Sequence, residues 1–153
     1  MSRVSFELST VVDVDVDTAF QFLSDLNNHR HLHPYFVQAD EVASGMDSEG
    51  NRYVDLMITE RPQLGPFRYT ITFPTKMVFT DQHEFQSDVR AALGTHLVNV
   101  MRCKSENNGT RITESVIVSA PWLTINYVKQ QAYTAHKRTF DLLPDVLSKS
   151  SNK

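Results

Sequence analysis

Along the C-terminal part of the chain the apolar residues recur in alternating steps of three and four: Ile125, Val128, Ala132, Ala135, Thr139, Leu142, Leu143 and Val146. That spacing puts them on one stripe and predicts a long helix from about Trp122 to Val146. Pro121 suits its first turn. Upstream the period changes to two. Val4, Phe6 and Leu8 alternate with Ser5, Glu7 and Ser9, marking a strand that reaches about Val12. The aspartates at 13, 15 and 17 supply capping groups for a short helix over Thr18–Asp25, with Phe20, Leu23 and Phe22 as candidates for its inner side. Asn27–His33 reads as a second short helix or a loop, stopped by Pro34.

From Phe36 onward the pattern is strand and turn. Phe36–Ala43 and Arg52–Glu60 read as strands around the turn Asp47-Ser48-Glu49-Gly50, with Val54, Leu56 and Ile58 on one face. Phe67, Tyr69, Ile71 and Phe73 alternate with Arg68, Thr70 and Thr72 in a half-buried strand that Pro74 is expected to end. Met77–Phe85, Val89–Cys103 and Thr110–Ser119 complete the run, and the polar tail Ser148–Lys153 is expected to fray. A long helix after such a run buries its stripe across the concave face of the sheet, leaving either a filled interior or a pocket.

A two-residue turn at Asn108-Gly109 sets a register in which Glu106 faces Arg111, Cys103 faces Glu114, Met101 faces Val116 and Asn99 faces Val118. Opposed residues share a face. Leu97, Asn99, Met101 and Cys103 then join Ile112, Glu114, Val116 and Val118 on one mostly apolar face. Lys104, Arg102, Thr113 and Ser115 lie on the other, and Glu114 and Asn99 are the polar outliers.

Composition narrows the function classes. The 153 residues are 41% hydrophobic and 22% charged with net charge -3, as expected of one globular domain, and no Lys/Arg run suggests nucleic-acid binding. The single cysteine, Cys103, allows no internal disulfide, and the first twelve residues lack the apolar core of a signal peptide. The expectation is a reducing, cytoplasmic setting without an integral membrane segment, as a monomer or homodimer.

Glu114 is the sharpest chemical candidate. A carboxylate among apolar side chains must pair, protonate or meet water in a cavity, unless it sits wet at the sheet rim. Asn99 is either a ligand anchor or an amide satisfied by backbone. Asp81 and His83 share the phase of Met77, Phe79 and Phe85, a His–carboxylate pair suited to proton transfer if it faces inward. His136 lies on or near the helix stripe; a satisfied interior histidine is its simpler account, a ligand contact the alternative. His29, His31 and His33 read as a solvated loop, since no tetrahedral set completes them, so no metal or other cofactor is expected. Cys103 reads as an apolar filler and His96 as outward.

The strand Arg3-Val4-Ser5-Phe6-Glu7-Leu8, the helix Ala19–Asp25, the His33-Pro34 step, the run Asn108-Gly109-Thr110-Arg111-Ile112-Thr113 leading to Ala120-Pro121, and the closing helix together resemble the SRPBCC superfamily. This is the helix-grip fold of START domains, birch-pollen-allergen-like proteins and polyketide cyclase/dehydrase-like proteins. The resemblance implies one α+β domain over 1–148 followed by a polar tail, 149–153. A curved antiparallel sheet would wrap a long C-terminal helix, with two short helices after the first strand. It also implies an apolar cavity for a lipid-, sterol- or aromatic polyketide-like molecule. The plant glycine-rich loop is missing, His33 replaces a frequent tryptophan, and no cyclase catalytic set can be matched.

The expected cavity wall is Phe67, Tyr69, Ile71, Phe73, Phe79, Leu97 and Met101. The expected polar anchors are Asn99, Glu114, His83 and His136. Two alternatives stand beside this ligand-binding reading. One is a cyclase or dehydratase using Glu114 or His83 as general acid/base; the other is an interaction module without a cavity.

Overall fold

A computed structural model describes residues 1–151. Nine strands and two α-helices follow in the order β1 (Ser2–Val12), α1 (Val16–Ser24), a 3-10 helix (Leu26–His31), β2 (Phe36–Met46), β3 (Arg52–Glu60), β4 (Gln63–Leu64), β5 (Phe67–Arg68), β6 (Ile71–Asp81), β7 (Glu84–Arg90), β8 (His96–Glu106), β9 (Gly109–Ala120) and α2 (Ile125–Ser151). Seven strands form one antiparallel sheet in the order β1-β9-β8-β7-β6-β3-β2, and β4-β5 is a separate small hairpin. The sheet carries α2 along its β1–β9 side, so the fold is the helix-grip α+β architecture expected from the sequence. None of the described helices is long and apolar enough to cross a membrane.

Local chemistry explains the element starts. Asp15 caps α1, its carboxylate accepting from the Thr18 backbone N–H at 2.8 Å and from the Thr18 hydroxyl at 2.9 Å. Asp25 caps the 3-10 helix through the Asn27 N–H. α2 runs on to Ser151, past the expected end near Val146 and through the expected tail; Asn152 and Lys153 lie outside the described residues. Pro144 sits inside α2, where it removes one helical hydrogen bond.

Pro74 does not end a strand. It lies within β6 opposite Met57, and the ladder to β7 begins only at Thr75, so Pro74 has a strand on one side and its missing N–H interrupts nothing on the other. Phe67 belongs to the β4–β5 hairpin rather than to the strand of Phe73. The stretch read as one strand over Met77–Phe85 is the end of β6, a turn at Gln82-His83 and the start of β7. The long strand read over Val89–Cys103 is likewise the end of β7, a loop over 91–95 and most of β8.

The β8–β9 turn is one residue earlier than expected. Its tip is Asn107-Asn108, with Asn107 at φ 53°, and Glu106 faces Gly109. The register therefore differs by two. Cys103 faces Ile112, Met101 faces Glu114 and Asn99 faces Val116. Sliding by two preserves the face of every side chain, so the inward set stands as read. Glu106 still meets Arg111, as a diagonal neighbour.

The core fills the end of the molecule below α1. Leu23, Leu32, Met77, Phe85, Ile112, Phe140, Leu143 and Leu147 pack there with Cys103. A second cluster, Val116, Val118, Ala120 and Ile125, seats the start of α2 on β9.

Candidate functional site

Between these clusters the interior is open. α2 leans on β1 and β9, away from the middle of the sheet, and its inward residues there are small: Ala132 and Ala135. Neither can reach β6 and β7, and a cavity of about 470 Å³ remains. Its sheet-side wall includes Phe36, Ile58, Phe73, Phe85, Leu97 and Met101; Leu26 and Tyr69 close other sides.

One side of this apolar cavity is polar. Glu114, 4% exposed, projects from β9, and His136 Nδ1 on α2 lies 2.9 Å from each of its carboxylate oxygens. Burial alone would lower the His136 pKa. The Glu114 charge and hydrogen bond, with the more distant Glu60 charge, outweigh it, so the His136 pKa is raised. The His33 ring meets the His136 ring edge-on, centroids 5.8 Å apart. Burial and the neighbouring His136 charge push His33 down to about 3, so it is neutral. Its Nδ1 accepts from the Tyr35 backbone N–H at 3.3 Å, which leaves the proton on Nε2, 4.0 Å from Glu60. With His33 uncharged, that approach is not an ion pair. Burial raises Glu60 to about 7, against the pull of His136.

His29 is held by a 3.1 Å contact from Nε2 to the Leu23 carbonyl, and burial lowers its pKa. The Tyr35 hydroxyl donates to Gln131 Oε1 at 2.9 Å, joining the start of β2 to α2. On the sheet side, Asn99 Oδ1 and Thr75 Oγ1 are buried with no hydrogen-bond partner among the described residues. Both residues line the cavity.

Of the residues expected at the site, Tyr69, Ile71, Phe73, Leu97, Asn99, Met101, Glu114 and His136 line the cavity. Phe67, Phe79 and His83 do not. Phe67 is 72% exposed on its hairpin. Phe79 packs against Phe20 and Phe85 below the cavity, with Arg52 over its ring. His83 occupies the β6–β7 turn at the far end of the sheet, where Nε2 contacts Asp17 at 2.7 Å; Asp81 is at the same turn, exposed. The solvated-loop reading fails for His29 and His33, which line the cavity one helical turn apart, whereas His31 is exposed.

Tyr35, Glu60 and Gln131 were not singled out from the sequence. Glu60 continues the phase of Leu56 and Ile58, and Gln131 falls between Val128 and Ala135 on the stripe, so both signals were present. His96 points outward to Asp88, 2.9 Å away. Cys103 is buried in the apolar core, and burial pushes its thiol up to about 12.

No protein-family model and no curated protein matches the sequence. Solved structures do match. The di-domain ARO/CYC StfQ from the steffimycin biosynthetic pathway superposes with a TM-score of 0.70 at 11% identity, covering 99% of this chain and 52% of that one; the chain spans about half its length. A START superfamily protein from Mycobacterium smegmatis gives 0.71 at 14% identity over 96% of this chain and 97% of the other. The Zhui aromatase/cyclase from a Streptomyces species gives 0.70 at 11%, over 98% and 94%. The chain has the helix-grip fold that these solved structures share.

Proposed function

We propose that the protein binds a small amphipathic molecule, an aromatic polyketide-, lipid- or sterol-like compound, in the cavity between the sheet and α2. The observation that carries this reading is a largely apolar hollow of about 470 Å³ in whose wall two buried polar atoms, Asn99 Oδ1 and Thr75 Oγ1, lack partners. An unsatisfied buried polar atom costs about 1–3 kcal/mol. A ligand hydroxyl donating to either oxygen, or a ligand carbonyl accepting from the Thr75 hydroxyl, would recover that cost, while its apolar body displaces water from the wall. The same hollow argues against a cavity-less interaction module. The wall expected from the sequence enters the proposal without Phe67 and Phe79.

The test is displacement of 8-anilino-1-naphthalenesulfonate followed by fluorescence, with ring compounds bearing one or two oxygens as competitors. Wild type is expected to bind the probe and release it to the competitors. Leu97→Trp, which fills the hollow, is expected to weaken binding at least tenfold. Equal binding by both proteins would overturn the assignment.

A second reading, a cyclase- or dehydratase-type enzyme, is favoured by one observation: His136, whose pKa is raised, and the carboxyl of Glu60 line one largely apolar cavity. His136 could give a proton to a departing or developing oxygen through Nε2, since Nδ1 is committed to Glu114. Glu60, titrating near neutrality, could take one from carbon. In this scheme Glu114 acts through His136, and His83 has no part. Loss of turnover in both His136→Gln and Glu60→Gln, with the bound ligand retained, would support it.

A further inference from the structure

The two ends of the sheet differ in charge. The starts of β1, β2, β6 and β8 meet the ends of β3, β7 and β9 at one end, as Ser2 faces Ala120, His96 faces Ser119, Arg90 faces His96 and Glu60 faces Ile71. Around this end Arg3, Arg61, Arg68, Arg90 and Lys129 are all exposed. The only carboxylates there among the described residues are Glu60, inside the cavity, and Asp88, which is taken up by His96 and Arg90. The opposite end holds Asp13, Asp15, Asp17, Asp47, Glu49, Asp81, Glu84 and Glu106 against Arg52, Arg102, Lys104 and Arg111, of which Arg102 and Arg111 are paired with Glu84 and Glu106, so acids exceed bases there, in a chain whose net charge is -3.

The basic end is also where apolar side chains face solvent. Leu93 is 84% exposed on the tip of the 91–95 loop, a turn closed by the Ala91 N–H donating to the Thr95 carbonyl at 3.0 Å. Trp122 is 73% and Leu123 75% exposed on the approach to α2. The two loops are neighbours, since a Cβ on Gly94 would sit 3.9 Å from Pro121. Phe67 caps the β4–β5 hairpin. Leu93 and Thr124 line the cavity as well, so the cavity reaches the surface amid these residues.

We propose that this end docks on an anionic lipid bilayer, with Leu93, Trp122, Leu123 and Phe67 entering the headgroup region and Arg61, Arg68 and Lys129 meeting lipid phosphates. Separate apolar tips on loops fit a fluid interface better than a rigid protein surface, and an indole is suited to the headgroup level. Basic residues supply the electrostatic attraction. The docked cavity opens toward the bilayer, where an apolar ligand partitions. Docking is independent of the binding reading, because it needs no occupied cavity.

Trp122 is the only tryptophan, so its emission reports insertion directly. Vesicles of phosphatidylcholine with phosphatidylserine are compared with pure phosphatidylcholine at low and high salt. The expected result is a blue shift and co-flotation with the anionic vesicles only, reversed by salt. Replacing one cation, as in Lys129→Glu or Arg68→Glu, is expected to weaken co-flotation about fivefold or more. Leu93→Ser with Leu123→Ser should abolish the shift; all these sites are exposed, and an unchanged circular dichroism spectrum verifies the fold. No binding to anionic vesicles, or binding unaffected by either set, overturns the proposal. Salt-sensitive association with polyglutamate but not with vesicles would reassign this end to an acidic protein. In either case the naphthalenesulfonate assay still reports on the cavity.

Discussion

His136 Nδ1 lies 2.9 Å from the Glu114 carboxylate, and the pair joins the middle of α2 to the inner face of β9. The two groups make each other tolerable in an apolar interior. Removing one charge leaves the other buried alone, so Glu114→Gln is expected to lose about 2 kcal/mol of stability, read from urea unfolding. Burial, no longer opposed by the full Glu114 charge, then governs His136, whose pKa should fall well below its wild-type value. A histidine NMR titration measures this. A variant in which His136 titrates as in wild type would show that Glu114 does not hold the proton there.

Thr75 offers a cleaner separation of stability from binding. Its hydroxyl is buried without a partner among the described residues, and the residue lines the cavity. Thr75→Val preserves shape and removes the orphan, so the ligand-free protein is expected to gain about 1 kcal/mol in urea unfolding. The same change should weaken any oxygen-bearing ligand that hydrogen-bonds to Oγ1, by about five- to tenfold in the displacement assay. Stability that falls instead would mean that the hydroxyl already has a partner.

His33 and Glu60 make opposed contributions to the pH dependence of stability. His33 has a folded value of about 3 against an ordinary 6.5. Between these values the unfolded chain binds the extra proton, so stability falls as the medium is acidified through that window. Glu60 is raised to about 7 from 4.5, so there the folded chain holds the extra proton and stability falls as pH rises through that interval. His33→Phe is therefore expected to gain on wild type by about 2–3 kcal/mol between roughly pH 7 and pH 4.5, and Glu60→Gln to gain by about 3 kcal/mol in the reverse direction. Unfolding midpoints of the three proteins at both pH values test the two signs independently.

Periodicity made the sheet, the helix and the inward faces readable, because the sides of a strand or helix follow from residue spacing alone. Spacing alone therefore groups Asn99, Glu114 and His136 as inward polar residues. The polar side opposite Glu114 was harder to see. Glu60 ends β3 while His33 and Tyr35 precede β2, and their approach to α2 depends on sheet curvature that no local pattern records. His83 was misplaced for a related reason. Its phase matched Phe79 and Phe85, but phase has no meaning across the turn that separates them.

The β8–β9 turn runs through Asn107-Asn108-Gly109. An Asn-Gly pair ordinarily signals a turn through glycine's freedom at positive φ. Here Asn107 supplies the positive φ, and Gly109 has another task. A Cβ at Gly109 would come within 2.3 Å of the Val12 carbonyl oxygen, so β9 can start against the end of β1 only without a side chain. Backbone on both sides cannot yield as a flexible side chain would. Gly109→Ala is therefore expected to cost about 3 kcal/mol, by analogy with overpacking in a core. Gly50 makes the contrast: at φ 82°, with nothing within 4 Å of an added Cβ, its alanine variant faces only the left-handed penalty of about 1 kcal/mol. Urea midpoints of the two variants separate the causes. Equal losses would mean that backbone conformation, and not the approach to Val12, fixes glycine at 109.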